Sequence, residues 1–318
     1  IHHIVNDGWS MAILLDELPI LYASERSGGG ASLPSQDMQY TDYARWQTEL
    51  MASPEGERLW RYWQRQLSGE LSTLDLPTDR PRLPVQPFRG ASETFTLNAE
   101  LTRQIRALAR AECATLFMTL LATFQVLLHR LTSQANILVG TVMSGRSRAE
   151  FEGIVGDLMN MIVVRADLSN NPSFRTMLAQ VRQTVFDGLT HQDYPFSLLV
   201  EKLVPNRDSS RPPLYQAKFL LQKPQRFEEL FKLVAGGEDG VRIDFGGLVM
   251  EPFVLTQQEG QLDLSVNIYE LKETLFGSLS YNTDLFDAAT IRRMLGHFQA
   301  LFVGIVVNPD QQLSELPI

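Results

Sequence analysis

The chain carries one cysteine, Cys113, which excludes an internal disulfide and fits a reducing, cytoplasmic setting. In Ala111-Glu112-Cys113-Ala114-Thr115 it precedes an apolar helix and reads as a small core or capping residue rather than a nucleophile. Positive charge is scarce too. Lys and Arg number 28 against 37 Asp and Glu, a net charge of -9, so there is no basic stripe for nucleic acid and that class of partner is set aside. No apolar run reaches membrane length and no signal-peptide pattern opens the chain, so no membrane association is expected. A 44% hydrophobic content over 318 residues is that of a globular domain large enough for two cores.

What is present is concentrated at the start. Ile1-His2-His3-Ile4-Val5-Asn6-Asp7-Gly8-Trp9-Ser10 places two imidazoles, an acid and a glycine in one short turn, spaced HHxxxDG. Acyl transfer suits such a set, because an amine or alcohol attacking a thioester must lose a proton and histidine titrates near physiological pH. His3 is the candidate catalyst, with His2 beside it. Asp7 is expected to anchor the turn through an arginine, holding the imidazole at a fixed angle. Gly8 leaves room for a long, thin substrate arm, and Asp7 or Ser10 can cap the helix that follows. Shared metal ligation by His2 and His3 is disfavoured, since neighbours on an extended strand point to opposite faces. Two surface histidines beside an ordinary Asp-Gly turn are the bland alternative.

Four further segments follow in order: Tyr40-Thr41-Asp42-Tyr43-Ala44-Arg45-Trp46, Ile154-Val155-Gly156-Asp157-Leu158-Met159-Asn160 running on to Arg165, His191-Gln192-Asp193-Tyr194-Pro195-Phe196, and Arg207-Asp208-Ser209-Ser210-Arg211-Pro212-Pro213-Leu214. With the histidine motif they resemble the condensation domains of non-ribosomal peptide synthetases, whose patterns include YxDYAxW, VGxFVNTxxxR, HQDYPFE and RDxSRNPL. Any one is weak; five in sequence are specific. The chain departs from those patterns at Asp157-Leu158-Met159, where an aromatic followed by valine is common. It also departs at Met161, at Ser197 in place of an acid, and at Pro212 in place of an asparagine amide.

The resemblance implies an α/β fold, the chloramphenicol acetyltransferase-like α+β sandwich of two lobes. Residues 1-75 would be the end of the N-terminal lobe, 76-90 a proline-rich inter-lobe linker, and 91-318 a complete C-terminal lobe. A histidine motif at residue 2 leads to the expectation that upstream sequence is missing, with apolar surface exposed and poor solubility or association as the consequence. The implied enzyme is an acyltransferase that joins a donor acyl or peptidyl thioester to an acceptor aminoacyl thioester. His3, His2, Asp7 and Gly8 would be catalytic, and Asn160, Arg165 and Arg211 supporting, with Arg165 the partner proposed for Asp7. The implied partners are donor and acceptor carrier proteins and an adjacent adenylation domain reached through Leu316-Pro317-Ile318. No cofactor or metal would be bound; phosphopantetheine would be supplied by the carriers. Epimerisation domains and carrier-independent acyltransferases share the histidine motif, while a catalytically inactive carrier-docking or recruitment platform is the alternative outside catalysis.

Along the chain, apolar periodicity gives a helix from Trp9 that Pro19 should kink or end early, a glycine-rich break at residues 26-32, and a helical stretch from Tyr40 through Leu67. Ser92 to Leu97 alternates as a strand. Residues 99-111 and 115-132 read as helices, the second apolar around most of its circumference and therefore central. Ile137 to Val142 reads as a buried strand, 154-166 contains another, and 172-189 and 196-203 read as helices. Leu214 to Leu221, 241-245 and 248-255 read as strands. Residues 261-270 and 274-281 read as a hairpin, whose counterparts in the resembled family are expected to cross between lobes, and 287-307 as a closing helix. His129, His191 and His297 read as structural.

Overall fold

Helix boundaries follow local chemistry. In the computed structural model, which describes residues 1–69, 71–206, 208–223, 242–245, 247–251 and 260–318, Asp7 caps α1 (Gly8–Ser27) by accepting the Ser10 amide at 2.8 Å. Pro19 lies inside this helix, so of the expected kink or early end the early end does not occur. Termination comes instead at Gly28, in the left-handed region at φ 67°. The expected single helix over 40–67 is two, α2 (Tyr40–Met51) and α3 (Pro54–Gln66). Ser53 caps the second and Pro54 occupies its first turn, where the missing N–H costs nothing. The corner is tight: a Cβ on Gly56 would lie 2.5 Å from the Leu50 carbonyl oxygen.

Six strands form one mixed sheet in the order β1-β8-β7-β4-β2-β3. They are β1 (Gly90–Leu97), β2 (Asn136–Met143), β3 (Asn160–Asp167), β4 (Ala217–Gln222), β7 (Leu264–Glu270) and β8 (Leu275–Asn282), with the short pair β5 (Ile243–Phe245) and β6 (Leu248–Met250) apart from it. β4 runs parallel to both its neighbours, β2 and β7, and the remaining pairings are antiparallel. The 261–281 hairpin is part of the main sheet, and its alternating apolar positions, Leu264, Val266 and Ile268 with Leu275 and Leu279, are buried. Of the segments read from sequence, Arg207, the loop at 236–240, Val241 and residues 252–255 lie outside the described residues.

Helices α4 (Ala99–Ala111), α5 (Leu116–Thr132), α6 (Phe174–Leu189), α7 (Phe196–Leu203) and α8 (Ala288–Val307) complete the layer against the sheet. α5 packs on β2 and β4, α6 on β3, and α8 on β1 and β8. The architecture is α/β. Leu120, Leu121, Phe124, Val126 and Leu128 of α5 are fully buried, and burying each such side chain contributes roughly 1.5–3 kcal/mol. Cys113 is exposed, not in the core; it sits at φ 50° just beyond α4 and closes that helix with an N–H bond to Arg110 O. His129 is structural, its Nδ1 lying 2.8 Å from Gln134 O. Among the described residues no single helix is long and apolar enough to cross a membrane.

The proline-rich stretch after α3 is held down along its length. Leu74 N donates to Gln216 Oε1 at 2.9 Å, and Arg82 forks onto Asp263, which is fully buried. The end of the chain is docked as well, with Arg130 donating to the carbonyls of Leu313 and Leu316. α1 is different. Ser10 is its one buried residue, while Met11, Leu18, Ile20 and Leu21, together with Ile4 and Val5 before it, are exposed.

Candidate active site

Two backbone segments meet at the histidine turn: residues 1–10, and residues 144–158 between β2 and β3. His2 caps the single 3-10 turn His3–Val5, its Nδ1 accepting the Ile4 amide at 3.1 Å. That occupies one ring nitrogen of His2. His3 is 60% exposed, and its Nδ1 lies 3.5 Å from Asp157 Oδ2. Gly8 opens α1, and a Cβ built there would meet no atom within 4 Å. No contact within the described residues requires a glycine at this position.

Beneath the turn lies a buried polar cluster. Asp7 Oδ1 accepts from the Ser10 amide and from Ser10 Oγ at 2.7 Å, while Oδ2 accepts from Arg146 Nη1 at 2.7 Å and from Leu158 N at 3.2 Å. Arg146 and Asp7 side chains are each 1% exposed. The same guanidinium also donates to Ile154 O at 2.8 Å and Ser10 Oγ at 3.2 Å, and so stitches both segments together. Ser10 Oγ contacts Gly156 N at 3.0 Å and Gly156 O at 2.9 Å. Burial pushes the Asp7 carboxyl up, but the Arg146 and Ser10 hydrogen bonds outweigh it and hold the group below the usual carboxylate range.

Arg165 is therefore not the partner of Asp7. It extends from β3 toward Asn136 Oδ1, at 3.2 and 3.1 Å, and toward Ser68 O at 2.8 Å. The register explains why: Arg165 pairs with Leu138 near one end of the β2·β3 ladder, whereas the histidine turn sits beyond the other end, where Met143 pairs with Asn160. An arginine in a valine-rich strand needs an acceptor, and Arg165 finds one at the wrong end for Asp7. The sequence holds a signal for the true partner: Ser144-Gly145-Arg146 follows the buried β2 strand directly, a glycine turn delivering a cation from a strand end.

Asn160 holds the neighbouring loop instead of the histidines. Its Nδ2 donates to Gln192 O at 2.6 Å and Tyr194 O at 2.7 Å, and its Oδ1 accepts from Phe196 N at 2.9 Å. In that loop His191 stacks on Tyr62 at 3.9 Å and its carbonyl accepts from Trp63 Nε1 at 3.0 Å, which ties the loop to α3. Arg211 is half-buried; its amide bonds Asp208 O at 3.3 Å, and its charge joins the Ser210 hydrogen bonds in keeping the Asp208 carboxyl low. No hydrogen bond or ion pair links Arg211 to the histidine turn among the described residues. The Tyr40–Trp46 segment supplies packing: Tyr43 and Trp46 meet Phe151 at 5.3 and 4.8 Å, and the Tyr40 ring fills the space over Gly156. No group of three or more His, Cys, Asp or Glu among the described residues could hold a metal ion.

The family model described as "Condensation domain" matches residues 1–318. The chain belongs to the condensation-domain family. It is 41% identical over 317 residues to a linear gramicidin synthase of Brevibacillus parabrevis, covering 100% of this chain and 6% of that protein. Chondramide synthase of Chondromyces crocatus is 36% identical over 318 residues, again covering 100% of this chain but 8% of the relative. This condensation domain thus spans a small fraction of the curated relatives it matches. Among solved structures, a four-domain nonribosomal peptide synthetase shares 28% identity at a TM-score of 0.86, covering 99% of this chain and 24% of that one. The X-domain from teicoplanin biosynthesis superposes at a TM-score of 0.84 over 100% of this chain and 70% of that one, and at 23% identity it shows the fold alone.

Buried charge also shapes the loop that Asn160 holds. Burial raises the Asp193 carboxyl above the usual range, partly countered by the Ser147 hydrogen bond and the Arg148 charge, with Glu55 adding to the rise. A carboxyl raised on folding binds protons more tightly in the native state, so stability falls as pH rises through its native value and stays reduced above it. Asp193→Asn is accordingly expected to raise the melting temperature at about pH 7 and to have little effect below the ordinary aspartate range. Thermal unfolding of both proteins at the two pH values checks this; equal gain at both would remove the titration as its cause.

Proposed function

We propose that this condensation domain transfers a donor acyl or peptidyl group from the phosphopantetheine thioester of one carrier protein to the amine of an aminoacyl thioester on a second. The acceptor nitrogen forms a bond to the donor carbonyl carbon, the carbon–sulfur bond breaks, and the donor carrier is left with a free thiol. The attacking amine sheds one proton. The observation that carries this reading is an exposed His3 imidazole on a turn whose base, the buried Asp7–Arg146–Ser10 cluster, is fixed. In this reading His3 orients the amine and takes its proton. Gly8, with open space beside it, leaves passage for the pantetheine arm. Carrier proteins, an adjacent adenylation domain and the lobe division near residues 76–90 belong to the same proposal, supported by the large multidomain proteins this chain resembles.

The test is the intact mass of a loaded acceptor carrier after incubation with an acyl-loaded donor carrier and the natural full-length protein, beside His3→Ala. An acceptor that gains the donor's mass only with His3 present is the expected result. General acid–base contributions of about 10²–10⁴ set the expected loss of rate. No gain with either protein, while both carriers still bind, would favour a recruitment platform instead.

A further inference from the structure

Two carboxylates lie at the histidine turn, and their surroundings divide their work. Asp7 has no acceptor capacity to spare: both its oxygens are taken by Ser10, Arg146 and Leu158, out of reach of solvent. Asp157 is the opposite. Its Oδ2 faces His3 Nδ1 at 3.5 Å, and its Oδ1 is buried without a hydrogen-bond partner among the described residues. A carboxylate half removed from water and short of donors gains from any N–H offered to it.

The backbone makes this placement deliberate. Gly156, on one side of Asp157, donates its N–H to Ser10 Oγ, and Leu158, on the other side, donates its N–H to Asp7. Asp157 is thus clamped at both neighbours by the same cluster that fixes the start of α1, so its carboxylate and the His3 ring share one rigid base. The ring nitrogens of a histidine are distinct, and the hydrogen bond made by one decides which carries the proton. Catalytic hydrogen bonds are often long without substrate and tighten when it binds.

We propose that Asp157 is a positioning residue for His3: its carboxylate accepts the Nδ1–H, keeping the Nε2 lone pair free toward substrate and stabilising the imidazolium formed when Nε2 takes the amine proton. This rests on the acyl-transfer reading of His3. The proton moves from amine nitrogen to Nε2. The other charged or titratable groups around the turn are engaged elsewhere. His2 Nδ1 caps the turn, Asp7 and Arg146 pair with each other, and Tyr43 lies in the aromatic cluster with Trp46 and Phe151.

The experiment uses this chain with its histidines labelled at both ring nitrogens, His3→Ala identifying the His3 signals. In the wild type a pyrrole-like Nδ1 and a pyridine-like Nε2 are expected. Asp157→Ala should move His3 toward the opposite tautomer, and Asp157→Asn, which keeps the shape but removes the charge, serves if the alanine variant does not fold. In the natural full-length protein, Asp157→Asn should lower kcat for acceptor acylation by roughly tenfold to a hundredfold, leaving KM for both carriers unchanged. An unchanged His3 tautomer in both Asp157 variants, or kcat within about twofold of wild type, would overturn the proposal. Failure of the acyl-transfer reading looks different: the acceptor would gain no mass with the wild type, or would gain as much with His3→Ala, while the ring-nitrogen signals would still decide the Asp157 contact.

Discussion

Arg146→Ala is expected to lower the unfolding free energy by about 3–5 kcal/mol and to abolish acceptor acylation, whereas Arg165→Ala costs about 1 kcal/mol and spares activity. The contrast follows from what each leaves behind. Without Arg146, the Asp7 carboxylate stays buried with its charge unpaired, and Ile154 O and Ser10 Oγ lose a donor, so the two segments that carry His3 and Asp157 lose the guanidinium that spans them and keep only the Leu158 and Gly156 amide bonds. Without Arg165, Asn136 and Ser68 at the far end of the ladder face solvent and recover water. The pH dependence has a definite sign. Asp7 is depressed on folding, so its contribution is present above the ordinary aspartate value near 3.9 and is lost as pH falls through its lower native value. The difference between wild type and Arg146→Ala should therefore be constant around neutrality and shrink in acid. Denaturant unfolding across pH, with product formation at neutral pH, measures both; matching losses in the two arginine variants would restore Arg165 to the site.

How much of this was legible depended on the range of the interaction concerned. α5, β2, α6 and α8 announced themselves because their apolar spacing reports burial of the element itself, and burial is what the spacing encodes. The HHxxxDG turn was readable for the same reason: its cap, its 3-10 turn and its glycine are all made within ten residues. Asp7 was correctly expected to need an arginine, but choosing between Arg146 and Arg165 required the β2·β3 register, which no local pattern states. An early stop at Pro19 does not occur because a proline penalty is a local cost, and the helix runs on to its glycine stop at Gly28. In the sequence Asp157 is only a departure from a pattern, because its position beside His3 depends on a hydrogen bond across 146 residues of sequence, from Gly156 to Ser10.

Gly145→Ala should disable the site as thoroughly as removing Arg146, although it adds a single methyl group and deletes no contact. Gly145 sits at φ +69°, and a Cβ there would fall 1.6 Å from the Leu158 carbonyl oxygen. A left-handed alanine costs about 1–2 kcal/mol, and forced overpacking adds about 1–3 kcal/mol. Because the obstructing atom is backbone, relief can come only by moving the chain at 157–158, or by turning the 144–146 corner that aims Arg146. Either movement pulls Leu158 N off Asp7 or Arg146 off both Asp7 and Ile154, and Asp157 moves with its neighbour. The expected outcome is a loss of about 3 kcal/mol in stability, with acceptor acylation falling to the level of His3→Ala. Gly8→Ala is the fitting comparison, since its methyl meets no protein atom within 4 Å: stability should be unchanged, and any loss of activity would come from the substrate arm itself. If Gly145→Ala folded with wild-type stability and acylated at the wild-type rate, the close approach of the 145 and 158 backbones would not be a feature of the folded domain.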